Sequence, residues 1–202
     1  MGQAMALYSF TDRDRSGKVR WTGEELGYSI TEKRVSLGEH QQPEYLSLNP
    51  YGQIPTVVVD GQTMIGSTAI CISLAEAAGG TLIPAQADDR RRFWEQVFVV
   101  TGTLENDAVS SYLSKAGIYN EELHPLIEPA LKPRMDYFAS TVPASGWLIG
   151  EEFSLADIFA AYVLRIGVDS GLLEETGNLA AYLDRLRARP AAQRARFFTP
   201  PT

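Results

Sequence analysis

The chain changes grammar once, near residue 80, and that change constrains its fold more than any other feature. Before it, short apolar runs alternate with helical ones; after it no convincing strand-forming run appears. Residues 6–10 (Ala-Leu-Tyr-Ser-Phe) read as a strand. Ser16 is placed to cap a helix over about 17–26, and Gly27 to stop it in the left-handed position. Residues 29–36 form a second strand, and residues 42–48 a short helix before the turn Asn49-Pro50-Tyr51-Gly52. Two β-rich runs, Thr56-Val57-Val58-Val59 and Gln62-Thr63-Met64-Ile65, flank Asp60-Gly61 and predict a hairpin. A helix over 67–78 closes at Gly79-Gly80. The order is βαβ-α-ββα: a parallel pair joined by a crossover, then an antiparallel hairpin, hence a small mixed sheet. Helical periodicity follows over 88–113, over 121–140 with interruptions at Pro125, Pro129 and Pro133, over 154–167 and over 179–189. The expected organisation is an α/β domain at 1–79, a linker at 80–88 and an all-helical domain at 89–202.

Composition narrows the function. A net charge of −7, with neither half basic, removes the electrostatic footprint that nucleic-acid binding needs. One cysteine, Cys71, excludes an intramolecular disulfide and a Cys-rich zinc site, and suits a reducing compartment. His40 and His124 lie far apart without partners at ligand spacing, so no metal site is expected and both are read as surface residues. No apolar run approaches membrane-spanning length, and residues 1–10 lack the pattern of a signal peptide. The expectation is a soluble cytoplasmic protein.

Two strings carry chemistry. In Asn49-Pro50-Tyr51-Gly52-Gln53-Ile54-Pro55-Thr56, Pro55 enters a strand where it has no ladder hydrogen to lose. A cis Ile54–Pro55 bond would expose the Ile54 backbone at the sheet edge, where an extended peptide can pair; an ordinary trans proline is the plainer alternative. In Ile65-Gly66-Ser67-Thr68-Ala69-Ile70 a strand ends and a helix begins, with Ser67 as cap. Open amides there, with the Ser67 and Thr68 hydroxyls, suit a carboxylate. Together these describe a receptor for a short acidic peptide.

These strings, with Leu7-Tyr8-Ser9, Lys18-Val19-Arg20, Glu24-Glu25-Leu26-Gly27, and Gly150 ahead of Phe153-Ser154-Leu155-Ala156-Asp157-Ile158, resemble the glutathione transferase family in the family's order over about 150 residues. In the last string Ser154 would cap a helix while Asp157 reaches back to its open amides. The resemblance implies a thioredoxin-like amino-terminal domain that binds glutathione through Gln53, Ile54, Pro55, Ser67 and Thr68, an all-helical second domain, and a homodimer built on the 88–113 helix. Glutathione enters as a co-substrate, and no cofactor is expected.

The family's chemistry requires the glutathione thiol to be held as thiolate. Candidates are the hydroxyls of Tyr8, Ser9 and Ser16. Tyr8 and Ser9 are adjacent on a strand, so at most one faces the sulfur. The position six residues before Val19, where serine- and cysteine-type members activate the thiol, holds Arg13. Arg13 or Arg15 could stabilise a thiolate by fixed charge; solvated Asp–Arg pairs are the alternative. A second departure is Gly66, where the family commonly has an acid. Cys71 reads as a buried small side chain, which argues against thiol-disulfide chemistry. Among Phe93, Trp94, Phe98, Leu104 and Tyr112 most are core or interface, with Phe98 and Tyr112 as the second-substrate wall. Charges near a helix terminus account for Arg185, Arg187, Arg189, Arg194 and Arg196. Two functions follow: conjugation of glutathione to a hydrophobic electrophile held between the domains, or a non-catalytic binding or regulatory protein on the same fold.

Overall fold

A computed structural model of the chain describes residues 3–200. Its residues fall into two compact units. One comprises the described residues up to Ile83 together with those from Arg187 on; the other is Pro84–Leu186. The carboxy-terminal segment thus belongs with the α/β unit, whereas the expected division had placed it in the helical one.

The first unit is a four-stranded mixed sheet in the order β2-β1-β3-β4. β1 (Ala4–Ser9) pairs in parallel with β2 (Ser29–Arg34) and antiparallel with β3 (Thr56–Val59), and β3 pairs antiparallel with β4 (Gln62–Ile65). Asp60 and Gly61 both take positive φ, 49° and 73°, the geometry a two-residue hairpin asks for. In β1 the residues Met5, Leu7 and Ser9 are buried and alternate with the less buried Ala6 and Tyr8, the period of a strand. α1 (Ser16–Leu26) crosses from β1 to β2 and ends at Gly27 in the left-handed conformation, as its sequence predicts. It lies hard against the sheet: a Cβ on Gly23 would stand 2.5 Å from Met5 Cε and 3.0 Å from Ile30 Cδ1. α2 (Pro43–Leu46) is shorter than expected, and α3 (Ser67–Ala77) packs on α1 and carries Cys71, fully buried.

The second unit is helical. α4 (Ala87–Val99) runs through one wider π turn, Val100–Leu104, into α5 (Glu105–Lys115). α6 (Leu123–Ser140) is continuous, where Pro129 and Pro133 had suggested interruption. Pro125, Pro129 and Pro133 are spaced four apart and all exposed, so the carbonyls they leave without amide partners face water. α7 (Leu155–Asp169) is buried on every side from Leu155 to Gly167. It begins with the expected capping box: Ser154 N–H donates to Asp157 Oδ2 at 2.9 Å. α8 (Gly177–Arg187) ends this unit, and α9 (Pro190–Arg194), which the sequence reading did not anticipate, lies in the first. No helix among the described residues is long and apolar enough to cross a membrane.

Candidate functional site

Strand register gathers the candidate residues at one end of the sheet. Tyr8 stands opposite Thr56, and Thr56 opposite Ile65, so the end of β1, the start of β3 and the end of β4 lie side by side. Pro55 comes immediately before β3, and Ser67 follows Ile65 by two residues, just beyond β4. The Ile54–Pro55 bond is cis. Among the described residues no hydrogen bond engages the Ile54 N–H or carbonyl.

The loop before it is held by residues the sequence reading had not singled out. Tyr45 Oη donates to the Gln53 carbonyl at 2.7 Å and lies 2.7 Å from Thr56 Oγ1; Asn49 Nδ2 donates to the same carbonyl at 2.7 Å and to Thr56 Oγ1 at 3.2 Å. Tyr45 and Asn49 are buried, and burial pushes the Tyr45 hydroxyl above its ordinary value. The only local hint is the Asn-Pro turn; Tyr45 lies within the short helix expected over 42–48. His40 and Gln41 also border this loop. His40 meets the Phe10 ring edge-on at 5.0 Å, and Gln41 Nε2 donates to the Gly52 carbonyl at 3.4 Å. His40 is therefore half-buried beside the site rather than a plain surface residue.

Ser67 is the first residue of α3, and its N-cap is Gly66, not Ser67 itself. Ser67 is 7% exposed, and among the described residues neither its hydroxyl nor the amides of Ser67, Thr68 and Ala69 have a partner. Gly66 adopts φ 78°, ψ 107°, a region closed to most L-residues, although the only neighbour of an added Cβ would be Ala69 Cβ at 3.9 Å. Backbone strain, not crowding, therefore selects glycine. Gly66→Ala is expected to lose about 1–2 kcal/mol of stability, measurable by urea denaturation.

The activating candidates separate clearly. Tyr8 is half-buried, edge-on to Tyr45 with ring centroids 6.0 Å apart, and its hydroxyl has no partner among the described residues. Ser9 is fully buried on the opposite face, its hydroxyl accepting from Arg34 Nη1 at 3.1 Å. Ser16 is buried at the start of α1, its hydroxyl accepting from Arg20 Nη2 at 3.4 Å. The cap there is not Ser16 but the preceding loop: Asp14 accepts from the amides of Phe10 and Thr11 at 2.8 and 2.7 Å and from that of Ser16 at 2.6 Å. Arg13 donates to the Thr199 carbonyl, and Arg15 is the N-cap residue of α1. In the helical unit Phe98 is 67% exposed on α4 and Tyr112 half-buried on α5, while Phe93 and Leu104 are core. Among the described residues no group of His, Cys, Asp and Glu is placed to hold a metal ion.

Comparison with known proteins agrees with this fold. Residues 7–82 match the glutathione S-transferase amino-terminal domain, and residues 106–190 the glutathione S-transferase carboxy-terminal domain. Glutathione S-transferase 1 of Dianthus caryophyllus is 30% identical over 175 residues, covering 79% of this chain and 75% of that one. The chain belongs to the glutathione S-transferase family. Within that family it is also similar to the maleylacetoacetate isomerase of Pseudomonas aeruginosa, 27% identical over 201 residues and 95% of both chains. Among solved structures it shares its fold with Ure2p in complex with glutathione, at TM-score 0.80 and 16% identity, over 96% of this chain and 98% of that one.

Proposed function

We propose that the protein binds glutathione at the Tyr8–Ile54–Ser67 end of the sheet and transfers its thiolate to a hydrophobic electrophile. The observation that carries this is the pair of unsatisfied backbone sites on either side of one strand end. The Ile54 peptide can pair with the cysteinyl part of an extended tripeptide, while the open amides of α3 and the Ser67 hydroxyl receive a carboxylate. Tyr8 supplies the hydroxyl for the sulfur, because Ser9 and Ser16 are enclosed and already engaged. Gln53 and Thr68 flank the peptide, and Phe98 and Tyr112 offer apolar surface to the electrophile. The protein is read as cytoplasmic, with a role in detoxification, and as a homodimer. The exposed Val99 on α4 supplies apolar surface for pairing; light scattering showing only a monomer at micromolar concentration overturns the dimer.

The test is retention on immobilised glutathione followed by a conjugation assay with an aryl halide. A hydrogen bond to a charged group contributes about 1.5–3 kcal/mol. Ser67→Ala is therefore expected to weaken glutathione binding by roughly tenfold or more. Tyr8→Phe should leave binding nearly unchanged and raise the bound thiol's pKa by about one unit, read from thiolate absorbance. Retention without turnover supports a second reading, a binding or regulatory protein. That reading is favoured by Arg13 standing where other members activate the thiol, and by Gly66 withholding an acid. Neither retention nor turnover means glutathione is not the ligand.

A further inference from the structure

The end of the chain returns to its first helix and meets the loop that leads into it. Two contacts fasten α9 and the residue before it to the far end of α1: Arg189 forms a bidentate pair with Glu25 at 2.7 and 2.8 Å, and Arg194 pairs with Glu24 at 2.7 Å. Two others reach the 9–16 loop. Arg13 donates to the Thr199 carbonyl, and Arg196 binds Asp12 through Nε at 2.9 Å and Nη2 at 3.1 Å while also reaching Glu32 at 2.7 Å.

Arg196 is one member of a closed cluster. Arg20 and Arg34 also pair with Glu32 and Asp12, and Arg34 goes on to donate to the Ser9 hydroxyl at the end of β1. Three guanidinium groups thus face two carboxylates, and the cluster carries one net positive charge beside the loop. Arg20 is almost wholly buried and Asp12 and Glu32 are mostly so, and their mutual pairs are screened less than open surface pairs. Arg34 and Arg196 reach the two carboxylates from the exposed side. The Asp12 carboxyl is held well below the ordinary carboxylate range, first by its hydrogen bond to Arg196.

We propose that Arg196 is a positioning residue: the carboxy-terminal segment acts as a strap that fixes both the shape and the charge of the 9–16 loop, and through it the state of the glutathione thiol. The inference rests on the glutathione reading for its chemistry, but not for its mechanics. Without the Arg196 charge the cluster becomes neutral, Asp12 leans on Arg34 and Arg20 alone, and the Asp14-centred turn loses the anchor beside it.

The experiment compares Arg196→Gln, Arg196→Lys and Arg194→Gln in the full chain. Two readouts are used: amide hydrogen exchange at Phe10, Thr11 and Ser16, and the thiol pKa of bound glutathione by ultraviolet absorbance. Arg196→Gln is expected to speed exchange at those amides roughly tenfold and to raise the thiol pKa by about half a unit to one unit, with glutathione affinity little changed. Arg196→Lys restores part of both effects, because it keeps the charge but not the fork. Arg194→Gln, which opens only the Glu24 pair, moves neither. Unchanged exchange in Arg196→Gln overturns the strap, and so does an equal response to Arg194→Gln. Faster exchange with an unmoved thiol pKa overturns the catalytic part. If the parent protein does not bind glutathione, that failure belongs to the functional reading, and the exchange comparison alone supports or overturns the strap.

Discussion

Asp157→Ala is expected to remove about 3–4 kcal/mol of folding stability, seen as a shift of the urea midpoint with little change in slope. The carboxylate accepts from four donors: the Leu148 amide at 2.9 Å, the Ser154 amide at 2.9 Å, the Ser154 hydroxyl at 3.2 Å and the Tyr182 hydroxyl at 2.7 Å. Alanine leaves all four without it in a site closed to water. The loss is smaller than four full penalties because Asp157 is itself costly to bury. Burial raises its pKa, and the four hydrogen bonds only partly pull it back. The sign follows from that direction. A carboxyl whose folded pKa is raised favours the native state most below its unfolded pKa, and that contribution is lost as the pH rises through the folded pKa. The stability gap between the parent and Asp157→Asn should therefore narrow as pH increases from the ordinary aspartate range upward. A gap that widens instead would show that the ionised carboxylate is the better-satisfied form.

The second large effect is expected at Phe197. Its ring is fully buried 4.8 Å from Trp21 and 5.0 Å from Phe198, and a Cβ placed on Gly17 would stand 3.3 Å from its edge. Phe197→Ala opens a cavity over α1 and should cost about 3–5 kcal/mol. Gly17→Ala approaches the same contact from the other side, with its Cβ also 3.2 Å from the Asp12 carbonyl, and should cost about 1–3 kcal/mol by overpacking. Denaturation midpoints for both variants test this. If Phe197→Ala were neutral, the last residues would be an ornament on a unit complete without them.

What could be read from the sequence was local. The Asp60-Gly61 hairpin, the Gly27 stop and the Ser154–Asp157 capping box each depend on residues within a few positions of one another, and each stands where expected. The glycine at Gly66 was read as a missing acid, because its positive φ is invisible until the strand and helix on either side are joined. Ser67 and Ser16 looked like caps by residue type alone; a glycine and an aspartate-bound loop hold those positions instead. What could not be read was distant. Arg196 and Asp12 are separated by 184 residues and Arg189 and Glu25 by 164, so no periodicity or spacing links them. The arginines looked like solvated charges near a helix end because their partners lie at the opposite end of the chain. Lys18 and Arg20, which a hydropathy pattern assigns to the surface, are buried as well, and Arg20 pairs there with Asp12 and Glu32.

That the first unit is closed by residues from Arg187 on has a consequence for how the protein is made. Chains emerge from the ribosome amino-terminus first, and domains tend to fold as they become complete. Here the sheet and α1 are synthesised before Pro84–Leu186, yet Trp21 receives Phe197 only after that whole segment has been made. The α/β unit is therefore begun before the helical unit and completed after it. Until then it exposes a helix face prepared for a covering that the whole helical unit, Pro84–Leu186, has to precede. A nascent chain halted between Ile83 and Phe197 would present that face to whatever else is in the cell.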